Sequence, residues 1–213
     1  MNRPRLLLAD DHVMIAEGLR RLLAGEFELV GVVEDGRSLV DTAKQLKPDV
    51  VVTDISMPGL NGIEAIRHLK RENPAIRVVV LTMHQTAAYA RRALEAGSSA
   101  FVVKHAAPAE LVMAIRAALK GKIFISPSMT AEVLTDIERA PNLAGEATAA
   151  VTCRQREILQ LLTEGHSAKE IAAALAISAR TVEFHKYQIM DLHGLRNSAE
   201  LVHFAIKNGI VAV

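Results

Sequence analysis

The chain has 213 residues, half of them apolar and only 3% aromatic, with a formal net charge of +1 and a single cysteine. That length suits one or two domains, and no apolar run approaches the ~20 residues of a membrane span. Near-zero net charge rules out a strongly basic nucleic-acid binder, and one cysteine rules out an intrachain disulfide framework and suits a reducing compartment. The reading is a soluble cytoplasmic protein with cores of Leu, Val, Ile and Ala. Arg3-Pro4-Arg5 before Leu6-Leu7-Leu8 imitates a signal peptide faintly, but Asp10-Asp11 ends the apolar run too early.

Leu6-Leu7-Leu8-Ala9 reads as a buried strand running into Asp10-Asp11. Leu29 to Val33, Val50-Val51-Val52, Val78 to Leu81 and Ala100 to Val103 are four more strand candidates. Between them, apolar residues recur at helical spacing: Ile15, Leu19 and Leu22-Leu23; Leu39, Ala43 and Leu46; Ile63, Ile66 and Leu69; Ala90 and Leu94 before Gly97; Leu111, Ile115 and Leu119. Five alternations of buried strand and amphipathic helix predict an α/β domain, a doubly wound five-stranded parallel sheet, over residues 1–121.

The valine strand ends in Thr53-Asp54 and turns at Pro58-Gly59. Sites in open α/β sheets lie at the carboxyl ends of strands. Asp10, Asp11, Asp54, Thr82 and Lys104 all occupy such ends. Carboxylates ~4 Å apart repel by about 1 kcal/mol in bulk water and several times more at a protein surface. The cluster therefore suits Mg²⁺, which favours oxygen ligands and keeps waters. A lysine and a hydroxyl beside it are what a phosphoryl group needs, one for charge and one for a hydrogen bond.

These residues resemble the receiver domain of two-component response regulators over residues 5 to about 120: Asp10-Asp11, Asp54 in DISMPG, Thr82, Phe101 and Lys104. The resemblance implies that Asp54 is the phosphoacceptor. Asp11, Asp54 and the Ser56 carbonyl would bind Mg²⁺ directly, and Asp10 through water. Lys104 would hold a phosphoryl oxygen, with Thr82 and Phe101 as the switch pair. The chain departs from the pattern in having Phe101 for the commoner tyrosine, Ser98-Ser99-Ala100 before it and His105 after Lys104. His12, His68, His84 and His105 have no defensible metal spacing, but His84, two residues beyond Thr82, stands where it could overhang the phosphoryl site.

Residues 122–149 read as a linker. Ser126-Pro127-Ser128 can cap a short helix through Met129, Val133, Leu134 and Ile137, and Pro141-Asn142-Leu143-Ala144-Gly145 breaks it.

Residues 150–213 hold seven Lys/Arg against six Asp/Glu, so any DNA contact depends on placement rather than bulk charge. Thr152 to Gln155 and Ser167 to Glu170 are capping boxes; Ser178 and Asn197 are further N-cap candidates, and Gly165 and Gly194 are stops. Four short helices follow, with the break Ala176-Ile177-Ser178 fitting a helix-turn-helix. Val182, His185, Ile189 and Leu192 fall on one face of the third helix.

This segment resembles the LuxR-type helix-turn-helix of NarL/FixJ-type response regulators from 151 to about 206, through Arg156-Glu157-Ile158-Leu159, Gly165 to Ala172, Thr181-Val182, Ile189-Met190 and Ala199 to Val202 among others. The resemblance implies that the helix from about 179 to 192 enters the major groove. Lys169, Arg180, Thr181 and Lys186 would lie near phosphates, with Glu183, Phe184 and Tyr187 facing bases. Glu183 stands where a lysine is usual, Gln188 replaces an asparagine, and Leu192-His193 reverses a basic-then-Leu order, Leu192 being expected to fill the same inward pocket.

Together the two resemblances imply a phosphorylation-controlled transcriptional regulator rather than an enzyme. Its expected partners are a sensor histidine kinase, double-stranded promoter DNA and a second copy of the chain when phosphorylated or DNA-bound. Contact with RNA polymerase is compatible with this reading, and no membrane is involved. Two rivals stand beside it. A phosphohydrolase using an Asp after a strand wants a second carboxylate close by, and Ser56 at that position counts against it. A DNA binder with a vestigial receiver is countered by the complete acidic set.

Overall fold

A computed structural model describes residues 3–106, 108–139 and 151–211, in two compact units, Met1–Arg139 and Ala140–Val213. The predicted break at Pro141 to Gly145 and the stretch to Ala150 lie outside the described residues.

The first unit alternates β1 (Arg5–Ala9), α1 (Val13–Leu23), β2 (Glu28–Val33), α2 (Gly36–Leu46), β3 (Val50–Thr53), α3 (Gly62–Glu72), β4 (Arg77–Thr82), α4 (Ala87–Glu95), β5 (Ala100–Val103) and α5 (Pro108–Leu119). All strands pair in parallel, in the order β2-β1-β3-β4-β5-β6. Burial follows the pattern that the runs of Val and Leu dictate. Every residue of β3 is fully buried, because a parallel sheet carries helices on both faces. One face (Leu6, Leu8, Val50, Val52, Val79, Leu81, Ala100 and Val102) packs with Leu23 of α1 and with Leu111 and Ile115 of α5.

The sheet has six strands where the sequence predicts five. Phe124–Ile125 forms β6 on the outer edge of β5, and α6 (Pro127–Arg139) follows it within the first unit. Most of the segment read as a tether therefore has partners. Ser126 is fully buried: its amide donates to the Phe101 carbonyl at 2.9 Å, and its hydroxyl accepts from the Val103 amide and donates to the Glu110 carboxylate. Met129 and Val133 of α6 are buried, whereas Leu134 is 54% exposed. An i, i+4 pair shares one helix face and the next residue leaves it, so only the first two reach the core. A salt bridge from Arg91 Nε to Asp136 Oδ2, at 2.8 Å, ties α6 to α4.

The second unit holds α7 (Cys153–Thr163), α8 (Ala168–Ala174), α9 (Ala179–Leu192) and α10 (Ser198–Lys207). Both predicted capping boxes form, and the side chains of Ser178 and Asn197 accept from the amides of Thr181 and Glu200. Gly165 and Gly194 take φ of +88° and +65°, ending their helices where a β-carbon would be strained. Val182 and Ile189 reach the core as their spacing predicts, but Leu192 is 60% exposed. The helix ends at Leu192, and the turn at Gly194 sends Leu195 back against the core, beside Met190, in its place. His193, four residues from Ile189, faces inward onto Phe204, with ring centroids 4.3 Å apart. Burial there holds the His193 imidazole below its ordinary pKa.

The turn between α8 and α9 carries an unexpected backbone feature: Ala176 has φ +52°, the left-handed region that a β-carbon disfavours. Replacing Ala176 with glycine relieves about 1–2 kcal/mol of local strain and adds about 0.4–1 kcal/mol of unfolded-chain entropy. The expected result is a small rise in the melting temperature of a 148–213 fragment, measured by circular dichroism. A fall would show that the turn is not strained.

Candidate phosphoacceptor site and DNA-facing helix

The parallel sheet brings four chain-distant groups together because neighbouring strands end level with one another. Asp10 and Asp54 follow the adjacent strands β1 and β3, Thr82 ends β4, and Lys104 follows β5. Main-chain bonds fix the positions: the Asp54 amide donates to Ala9 O at 2.9 Å and the Lys104 amide to Thr82 O at 2.8 Å. Asp10, Asp54 and Thr82 are at most 3% exposed.

Lys104 Nζ lies 2.7 Å from Asp10 Oδ2 and 2.7 Å from Asp54 Oδ2, with its side chain 5% exposed. Burial works against the ammonium, but hydrogen bonds and charge from Asp10 and Asp54 outweigh it, and the pKa of Lys104 is raised. The other Asp54 oxygen, Oδ1, accepts from the Ile55 amide at 2.6 Å. Asp54 is thus aimed through both oxygens.

Asp10, Asp11, His12 and Asp54 each bring a ligand atom within 4.8 Å of the others. The group holds three carboxylates, and the Lys104 ammonium pairs with only Asp10 and Asp54, so it has the excess negative charge and hard oxygen donors that a divalent cation needs. His12 has no metal-ligand spacing in the sequence, yet its Nδ1 lies 2.7 Å from Asp11 Oδ1 and 3.3 Å from Asp10 Oδ1. Its place directly after the acidic pair was the signal available. Ser56 is half-buried, and its hydroxyl lies 2.8 Å from His84 Nε2. His84 thus contacts the loop that follows Asp54. His68 and His105 bring no ligand atom to this group.

Phe101 is fully buried in the middle of β5, beside Val80 of β4 and Ile125 of β6. It has no hydroxyl to satisfy, which is compatible with its full burial.

In the second unit Phe184 and Tyr187 are 57% and 62% exposed on α9. Large aromatics left in solvent on a helix whose opposite face is core are poorly explained by packing. Lys169, in the first turn of α8, is exposed, as is Arg180 in the first turn of α9, where Thr181 is half-buried. The Glu183 carboxylate lies 3.4 Å from Lys186 Nζ, and Lys186 also sits 5.8 Å from the Tyr187 ring centroid. The i, i+3 spacing of Glu183 and Lys186 on α9 allows this contact.

No helix among the described residues is long and apolar enough to cross a membrane. Residues 6–116 match the response regulator receiver domain, and residues 149–205 match the bacterial regulatory proteins of the luxR family. The transcriptional regulatory protein DegU of Brevibacillus brevis is 32% identical, over all of this chain and 97% of that protein. The response regulator GacA of Pseudomonas aeruginosa is 32% identical, over 97% of each. RcsB from Salmonella enterica serovar Typhimurium, solved bound to a promoter in the presence of the phosphomimetic BeF₃⁻, aligns with a TM-score of 0.64 and 29% identity, over 95% of this chain and 98% of that one. The chain therefore belongs to the two-component response regulators of the NarL/FixJ type, transcriptional regulators that join a receiver domain to a LuxR-type helix-turn-helix and are not catalysts in the usual sense.

Proposed function

We propose that Asp54 accepts a phosphoryl group from the phosphohistidine of a sensor kinase, and that its phosphorylation controls how the α7–α10 unit engages promoter DNA. The observation that carries the first half is the Lys104 ammonium, 2.7 Å from both Asp10 and Asp54 carboxylates in a buried pocket at the strand ends. An Asp54 oxygen attacks phosphorus, the phosphorus–nitrogen bond of the donor breaks, and its electron pair stays on the imidazole. Lys104 is placed to follow the charge that moves onto the phosphoryl oxygens. The Thr82 hydroxyl accepts from the His84 amide at 3.2 Å, which leaves its own proton to donate to a phosphoryl oxygen. Asp11, Asp54 and the Ser56 carbonyl, with Asp10 through water, would hold Mg²⁺, which supplies charge neutralisation for the transferred group. In this reading the protein performs its own aspartyl phosphorylation and dephosphorylation and no other chemistry.

Small phosphodonors with Mg²⁺ should add one phosphoryl group to the full chain and none to Asp54→Asn, read by intact mass. Full labelling of Asp54→Asn would overturn the assignment.

For the second half, α9 is the element that offers exposed aromatics and basic residues on one side and core on the other. We infer that Lys169, Arg180, Thr181 and Lys186 lie along phosphates while Glu183, Phe184 and Tyr187 face bases, in a homodimer that matches paired half-sites. The Glu183–Lys186 contact makes a definite difference to this face: with its carboxylate 3.4 Å from the ammonium, Glu183 competes with phosphate for Lys186. Lys186→Ala should weaken binding to all duplexes alike and lower the salt slope by about one unit per half-site. Glu183→Ala should strengthen binding to all duplexes if its role is to hold Lys186, and should instead cost about 1–3 kcal/mol on the preferred site if it reads a cytosine. Site selection and salt titration with the two variants separate these outcomes.

A further inference from the structure

The face that α9 turns to solvent is apolar at its centre. Arg180, Phe184 and Gln188 follow one another at i, i+4 steps, Tyr187 stands three residues beyond Phe184, and all four are exposed. Val182 and Ile189, on the other side of the helix, are buried in the core. The charged groups beside this centre are engaged with one another. Lys186 Nζ lies 3.4 Å from the Glu183 carboxylate and 5.8 Å from the Tyr187 ring centroid, and the Lys186 side chain is only 17% exposed. The Phe184 ring meets His185 at an edge, with centroids 5.8 Å apart. Phe184, in the second turn of α9, thus presents a ring with no donor or acceptor to whatever the helix meets.

The major groove offers donors and acceptors at every base pair and one apolar group, the C5-methyl of thymine. A phenyl ring laid against a cytosine amino group strips its water and returns no hydrogen bond, which costs free energy. The same ring laid against a methyl group removes apolar surface from water on both sides, which is favourable. The ring therefore prefers thymine on two counts.

We propose that Phe184 is a specificity-determining residue that reads the C5-methyl of a thymine in each half-site, with the Tyr187 ring continuing the apolar face. The preferred DNA then carries thymine at one fixed position of each half-site. This inference rests on the reading of α9 as the base-facing helix. It adds which base chemistry that helix selects.

The test uses the full-length protein, treated with acetyl phosphate and Mg²⁺, and the duplex that random-site selection returns for it. Each thymine of one half-site is replaced in turn by deoxyuridine, which keeps every hydrogen-bonding group and lacks only the methyl. Fluorescence anisotropy should show one position at which uracil weakens wild-type binding about fourfold, the worth of one buried methyl group. Phe184→Ala should bind the thymine and uracil duplexes alike at that position. Phe184→Leu keeps an apolar contact and should retain part of the difference. With cytosine at the same position, methylating its C5 should strengthen binding by wild type and not by Phe184→Ala. A merely structural role for Phe184 would weaken binding to all these duplexes equally and leave the uracil penalty in place.

Wild type that binds every uracil duplex as tightly as the thymine one would overturn the inference. So would a uracil penalty that persists undiminished in Phe184→Ala, or a selected site with no thymine in its half-sites. If Phe184→Ala does not fold, the full penalty kept in Phe184→Gln would overturn it equally. A selected site indifferent to uracil defeats this inference alone. Selection that returns no site defeats the reading of α9 and this inference with it.

Discussion

Gly62→Ala should destabilise the first unit by roughly 3 kcal/mol or more and slow phosphorylation of Asp54 at the same time. A β-carbon at position 62 would lie 1.9 Å from the carbonyl oxygen of Asp54, 2.9 Å from its carbonyl carbon and 3.1 Å from the Ile55 α-carbon. All three are backbone atoms, so no side chain can swing away. The Gly62 amide also donates to Ile55 O at 2.9 Å, and Asn61 caps the same turn by accepting from the Glu64 amide at 3.0 Å. The first turn of α3 is therefore pinned directly behind the acceptor, and a methyl group there must push either α3 or Asp54 aside. Displacing Asp54 weakens its aim at Lys104. Gly18→Ala is the matching control: nothing lies within 4 Å of its would-be β-carbon inside α1, so alanine there should stabilise by about 0.5–1 kcal/mol. Equal melting temperatures for Gly62→Ala and wild type would show that the close approach is not present in solution.

Lys104→Met should leave Asp10 and Asp54, each at most 3% exposed, without the ammonium that both now hold. Removing one partner of a buried charge cluster typically costs 3–5 kcal/mol, and about 3 kcal/mol is expected here because Asp11 stays partly in solvent. The loss should be greatest in EDTA, where no cation offsets the repulsion between the two carboxylates. Added Mg²⁺ should recover more stability in Lys104→Met than in wild type, as the cation replaces the missing positive charge. Phosphorylation-dependent DNA binding should be impaired in the same variant. Thermal melts of both proteins with EDTA and with Mg²⁺ check this directly. A variant as stable as wild type in EDTA at neutral pH would mean that the ammonium does not hold the cluster together.

Much of this site was legible before any coordinates. Asp10, Asp54, Thr82 and Lys104 each follow or end a run of apolar β-formers, and parallel strands of matched length bring such ends together. The caps of the second unit were equally readable, because Thr152, Ser167, Ser178 and Asn197 each bond an amide three residues away. Local chemistry needs only local sequence.

The misreadings share the opposite property. Phe124–Ile125 is too short to announce a strand, and it becomes one only because the edge of β5 offers unpaired amides and carbonyls. Leu192 has the spacing of a core residue, but where α9 ends is set by the turn at Gly194 and by the room Leu195 finds against α7 and α10. Ala176 gives no sign in sequence of its left-handed backbone, since the turn between two packed helices imposes it.

The sequence by itself determined the order of elements, which residues reach the strand ends and where the helices of the second unit begin, because each follows from periodicity, burial and bonds to near neighbours. Tertiary structure alone decided that Lys104 divides itself between Asp10 and Asp54, that His84 meets Ser56, and that Gly62 must carry no side chain. Those facts depend on distances of a few ångströms between groups up to 94 residues apart in the chain, and no pattern along the sequence encodes a distance across the fold.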